Sequence, residues 1–201
     1  MRIKLFVLAT LAIGGCATPV PPAKIVTAEH LRPIESSPGE SKTIFIANIS
    51  SKLVDRKIGQ MKGGTLCLSE QDLVWQDSQS VLNAMKEQIA STLSQHGYNV
   101  YSGLIQSRGE KDADVLIGVG IENIKANMCY SVDGMKGEAS LSLKWEILDS
   151  KRNDSFSVTT SGSSNVASFS RTGDPDVFVR SVEIATENLI AQRAFFQATR
   201  K

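Results

Sequence analysis

The residues able to do chemistry are few. The 201-residue chain carries three cysteines, Cys16, Cys67 and Cys129, and two histidines, His30 and His96. A structural zinc needs about four thiolate or imidazole ligands. No Cys or His stands at ligand spacing, so no metal is expected. Serine nucleophiles need a neighbouring base, and no Gly-x-Ser-x-Gly elbow is present. Gly118-Val-Gly120 follows strand-like residues but lacks the third glycine and the helix of a dinucleotide loop. A Walker loop, Cys-x-x-Cys and His-Glu-x-x-His are also missing from the sequence. Asp112 and Asp114 could work as an acid–base pair, but beside a strand start they read as a solvated turn. Glu138 and Glu146 fall on the polar face of their strand. His96 ends a helical stretch, where an imidazole meets the helix dipole, and His30 lies among prolines. The net charge of +1 provides no excess of cations to neutralise phosphates, so nucleic acid is not expected as a partner. The composition, 41% hydrophobic and 21% charged, is that of an ordinary globular domain. The chain is therefore read as non-enzymatic and without a cofactor, a hydrolase with an unrecognised site being the minority alternative.

The remaining cysteine chemistry begins at the amino terminus. Arg2 and Lys4 precede an apolar run from Leu5 to Ile13, which leads into Gly14, Gly15 and Cys16. That is the three-part layout of a secretion signal over residues 1–15. It is too short for a transmembrane helix, which needs about 18–20 apolar residues. Ile13-Gly14-Gly15-Cys16 resembles a bacterial lipobox. The resemblance implies cleavage before Cys16 and acylation of its sulfur and new amine, with palmitate-type chains as the covalent lipid. Two or three chains anchor firmly where one is marginal. The following residue is Ala17 rather than the Asp of an inner-membrane retention signal, so the resemblance points to the outer membrane, facing the periplasm. Processing removes Arg2 and Lys4 and leaves the chain near neutral.

Five of the six prolines fall in residues 17–40. Residues 16–40 read as a lipidated cysteine and a proline-rich tether with a reach of roughly 80 Å when fully extended. The domain occupies 41–201. Residues 43–49 form an apolar β-rich run. Residues 50–76 hold three glycines and no clean period, and read as a long ordered loop. Asp77 or Ser78 caps a helix whose apolar face is Leu82, Met85, Ile89 and Leu93, and Gly97 ends it. Tyr98–Tyr101 starts a strand. Val115, Ile117, Val119 and Ile121 then alternate with other residues, as do Ala139, Leu141, Leu143, Trp145 and Ile147; Phe156, Val158 and Thr160 follow more weakly. Asp174-Pro175-Asp176 opens a closing helix with an apolar stripe of Phe178, Val182, Ala185, Leu189 and Phe196. The expected fold is α+β, a mainly antiparallel sheet of about five strands with two helices on one face, in the order β-α-β-β-β-β-α.

In an oxidising compartment Cys67 and Cys129 have one possible intrachain pairing. That bond would pin the 50–76 loop to the sheet edge. Separate buried thiols and an intermolecular bond are the alternatives. The loop is also the candidate partner-binding element, with Lys57, Met61, Lys62 and Trp75 as its candidate residues. The other reading of Trp75, and the favoured one, is that it packs under the first helix as core.

Two resemblances follow from this order. Gly97-Tyr98, with a strand and helix before it and a meander and closing helix after it, is similar to small envelope lipoproteins, the amino-terminal domain of TolB and the curli secretion lipoprotein. Gly63-Gly64-Thr-Leu-Cys67, Trp75, Cys129, Lys136-Gly-Glu-Ala-Ser140 and Trp145-Glu146 resemble a domain that precedes trypsin-like peptidase domains in some envelope proteins. No peptidase domain follows, so no protease activity is implied. Both resemblances imply a binding or assembly module: an outer-membrane lipoprotein acting as a structural component of an envelope complex, partnered by envelope proteins or by further copies of itself. The alternative is a module that binds a glycan or a lipid, which demands a deep apolar cavity.

Overall fold

The computed structural model describes residues 22–37, 39–101, 112–171 and 173–201. The apolar leader and Cys16 lie outside the described residues. The described elements are β1 (Thr43–Ser51), β2 (Lys57–Gly63), β3 (Ser69–Val74), α1 (Gln79–Gln95), β4 (Asn99–Val100), β5 (Val115–Ser131), β6 (Gly134–Asp149), β7 (Asp154–Ser170), α2 (Gly173–Ile190) and α3 (Arg193–Thr199).

The fold is α+β, with a seven-stranded mixed sheet rather than a mainly antiparallel one of five. The long β5 organises it. One edge of β5 pairs antiparallel with β6 from Val115 to Ser131, and β6 pairs antiparallel with β7. The other edge is shared. Its first half runs parallel to β1, from Ile44 opposite Val115 to Ser51 opposite Ile121. Its second half runs parallel to β2, from Gly59 opposite Ala126 to Gly63 opposite Tyr130. β4 lies parallel outside β1, and β3 lies antiparallel outside β2. The segment expected to be a loop, 50–76, thus holds the end of β1, all of β2 and all of β3. β4 runs parallel to β1 because α1 carries the chain from β3 back to the end of the sheet where β1 starts.

Alternation decides which face of β5 and β6 is buried. Val115, Ile117, Val119, Ile121, Ala139, Leu141, Leu143, Trp145 and Ile147 all point into the core, and α1 and α2 pack on that side. Ser78 caps α1, its side chain accepting from the Val81 amide at 3.3 Å. Gly97 ends it with φ +82°, and a Cβ there would sit 2.0 Å from the Ser36 carbonyl oxygen. The closing helix is two helices. It breaks after Ile190, and the turn at Ala191 and Gln192 rotates the stripe, so Phe195 is fully buried where Phe196 was expected.

The expected tether differs most. The chain from Ala23 onward is fastened to the domain. Asn127 on β5 accepts from the Ala23 amide at 3.0 Å and donates to its carbonyl at 2.8 Å. Ser163 on β7 accepts from the Ala28 amide, and Asn188 on α2 accepts from Leu31 and donates to Glu29. Tyr98 donates to the Ile34 carbonyl, and the Ser36 amide to that of His96. Side chains of the domain, rather than a strand ladder, thus accept from the amides of Ala23, Ala28 and Leu31.

Candidate functional site

The structure divides the four residues singled out in the 57–75 segment. Lys57 pairs with Asp72 across the β2–β3 hairpin at 2.7 Å, both partly exposed. Lys62 lies on the sheet face away from the helices, in a groove beside Cys67, Asn127, Cys129, Lys136 and Glu138. Met61 and Trp75 lie on the opposite side and line one apolar cleft. Cys67 and Cys129 form a disulfide, which ties the β2–β3 turn to β5.

The cleft is built from four elements. β2 and β3 supply Ile58, Met61, Leu73 and Val74, with Trp75 just beyond; α1 supplies Val81, Ala84, Met85 and Gln88; α2 supplies Phe178, Val179 and Val182. Ile124 and Leu141 form its sheet side. The α1 residues recur at three- and four-residue steps, so they share one face of the helix. A bulge between Lys57 and Gly59 shifts the strand register, which allows Ile58 and Met61 to face the same way. Trp75 is held in place by its indole N–H, which donates to Asp77 at 2.6 Å. The cavity measures about 430 Å³, and among the described residues Gln76 and Gln88 are the polar side chains that line it. Among the described residues no charged side chain lines it. Such a space suits an aliphatic ligand and gives a sugar few hydrogen-bond partners. The sequence alone did not disclose it, because its walls are the usual apolar stripes of α1 and α2 and become a cleft only where the hairpin stands off from the helices.

His30, His96, Glu187, Tyr98, Lys86 and Asp114 are not among the residues that line the cleft. Both histidines, which the sequence placed apart, converge on Glu187 of α2: His30 at 2.6 Å and His96 at 3.6 Å. Burial pushes the Tyr98 hydroxyl up to about 12, and burial lowers Lys86, whose ammonium sits 5.0 Å over the Phe45 ring. Lys151 at 2.7 Å and the Thr43 amide hold Asp114 below its usual carboxylate range. Asp112 is exposed, so the two aspartates do not form a pair in a cleft. Among the described residues no group of three or more His, Cys, Asp or Glu could hold a metal ion. No described helix is long and apolar enough to cross a membrane.

No protein-family model matches the chain, and no curated protein matches it. Solved structures of similar outline exist at low identity. A Xanthomonas campestris protein of the family model DUF330 is 13% identical, with a TM-score of 0.48 over 84% of this chain and 93% of that one. The PelC dodecamer from Paraburkholderia phytofirmans is 12% identical, with a TM-score of 0.40 over 87% and 97%. Lipoprotein GNA1162 from Neisseria meningitidis is 11% identical, with a TM-score of 0.36 over 63% and 85%.

Proposed function

We propose that this chain is a non-enzymatic lipoprotein, anchored in the outer membrane through Cys16 and facing the periplasm, whose domain shelters the aliphatic chain of an envelope lipid. The apolar cleft carries this reading. Its volume of about 430 Å³ falls in the usual range of ligand sites, about 300–1,000 Å³. Its lining supports an aliphatic chain over a glycan, since two side-chain amides cannot satisfy a sugar's hydroxyls. It also supports a small ligand over a protein partner, which would need about 800 Å² of interface on each side. The proposal includes no cofactor and no catalytic centre.

Trp75 in the wall provides the test. A dibrominated long-chain fatty acid quenches tryptophan on contact, so titration into the unacylated Cys16→Ser chain should quench part of the emission and saturate. Trp145 lies outside the cleft and should not respond. Ala84 lines the cleft from an exposed helix position, so Ala84→Phe should plug it without disturbing the core and should abolish saturable quenching, whereas Ala84→Ser should retain it. Non-saturable quenching in the parent chain, or equal quenching in the Ala84→Phe variant, refutes the proposal.

A further inference from the structure

A second apolar feature sits at the end of the sheet. The turns joining β2 to β3 and β5 to β6 lie side by side there. Leu66 and Leu68 flank Cys67 in the first, and Val132 tops the second; they are 76%, 79% and 94% exposed. Tyr130, at the end of β5, is also exposed. The two turns are joined rigidly by the Cys67–Cys129 disulfide and by the Gly64 amide, which donates to the Tyr130 carbonyl at 2.9 Å. Large aliphatic side chains on turn tips whose backbone is already fixed need little further backbone ordering to enter an apolar phase.

The start of the described chain lies near these tips. Asn127, which clamps Ala23, stands four residues before Ser131 on β5, about 13 Å away along the strand. Cys16 is separated from Ala23 by residues 17–22, at most about 23 Å of extended chain. The anchoring residue therefore cannot stray far from this end of the domain. The expected 80 Å of reach is gone, because the chain beyond Ala23 is bound.

We propose that this end of the sheet rests on the bilayer, with Leu66, Leu68 and Val132 inserted at the level of the lipid headgroups and Tyr130 at the boundary. A second copy of the chain is the weaker occupant. Three aliphatic side chains on two convex turns offer far less than the roughly 800 Å² per partner of a stable dimer. A bilayer interface accepts such tips singly, each side chain contributing through its own apolar area. The inference rests on acylation of Cys16 for its orientation but not for the contact itself, and it is independent of whether the cleft is occupied.

The experiment places tryptophan at the tips. Leu66→Trp and Val132→Trp are made in the acylated chain reconstituted into phosphatidylethanolamine–phosphatidylglycerol vesicles containing lipids brominated at shallow acyl positions. Val54→Trp, in the exposed β1–β2 loop, is the control. Emission from positions 66 and 132 should be quenched and that from position 54 should not. The Cys16→Ser forms added to the same vesicles should bind more weakly yet retain the pattern in the bound fraction, and Leu66→Ser/Leu68→Ser should lower that binding about tenfold. Equal quenching at all three positions, or none at 66 and 132 in either form, overturns the contact. Tip fluorescence that responds to protein concentration rather than to lipid assigns the surface to a second copy and also overturns it. Intact-mass measurement of Cys16 judges the anchor separately, so the two readings fail by different results.

Discussion

Lys42 and Asp149 meet where the start of β1, the end of β6 and α3 converge, and breaking this contact should be costly. The ammonium lies 2.6 Å from Asp149 Oδ2, with the two side chains 8% and 4% exposed. Lys42 also donates to the Ala198 carbonyl at 2.9 Å, and Asp149 Oδ1 accepts from the amides of Lys151 and Arg152 at 3.1 and 3.2 Å. Burial alone would raise the Asp149 carboxyl; the hydrogen bonds from Lys42 and the two amides outweigh it and hold the group below its usual range. Removing one partner leaves a buried charge alone, a loss of about 3–5 kcal/mol. Lys42→Met should fall at the lower end, because Arg152, 3.7 Å away, can move toward the orphaned carboxylate. Asp149→Leu should fall at the upper end, since the stranded ammonium keeps the Ala198 carbonyl and a more distant attraction to Asp114 but loses its carboxylate partner at contact distance. The double variant removes both charges and should lie within about 2 kcal/mol of the parent. Urea unfolding of the Cys16→Ser chain, followed by tryptophan emission with the disulfide intact, should show single-variant midpoints lower by about 1–3 M. The pair also has a pH signature. A carboxyl held low in the folded state contributes its full stability above the unfolded value, near pH 4, and loses it as pH falls through the folded one. The parent midpoint should therefore drop below about pH 4, and less steeply in Asp149→Leu. Single variants within about 1 kcal/mol of the parent, or a double variant that equals the sum of the singles, would refute the reasoning.

Two further outcomes are expected. Cys67→Ser/Cys129→Ser opens a loop of 62 residues, worth about 4 kcal/mol by chain entropy, and should release amide protection first in the β2–β3 turn; a loss under about 1 kcal/mol in urea unfolding would contradict this. Gly162 of β7 lies directly beneath α2, where a Cβ would stand 1.9 Å from the Ser181 carbonyl oxygen. Gly162→Ala should therefore push the helix away at about 1–3 kcal/mol or more, and an unchanged thermal midpoint would show that α2 does not sit so close.

Much of the frame was legible in the residues. The period-two runs from Val115 and Ala139 gave β5 and β6, because each buries an apolar residue at every second position. The Ser78 cap and Gly97 stop gave α1 to within a residue. β2 was hidden: its buried positions include Gly59, Gly63 and Gln60, which form no apolar stripe, and its ladder comes from β5, far along the chain. Parallel pairing has no local signature, so the mixed sheet could not be read. Prolines among residues 17–40 suggested slack, yet Asn127, Ser163 and Asn188 lie far off in sequence and only the folded domain brings them to that segment. The loop candidates were half legible for the same reason. Met61 and Trp75 share the cleft because α1 and α2 close over them, while Lys62 faces the other side of the sheet.

The wrapped amino-terminal segment also sets how force passes through the molecule. A pull on the leading end would load the Asn127 amide clamp first, then Ser163 and Asn188, each released in turn like stitches in a seam. The backbone ladders of the sheet would carry tension only after that seam had opened. A load on that end would thus be taken up first by a handful of side-chain contacts that can re-form once it is released.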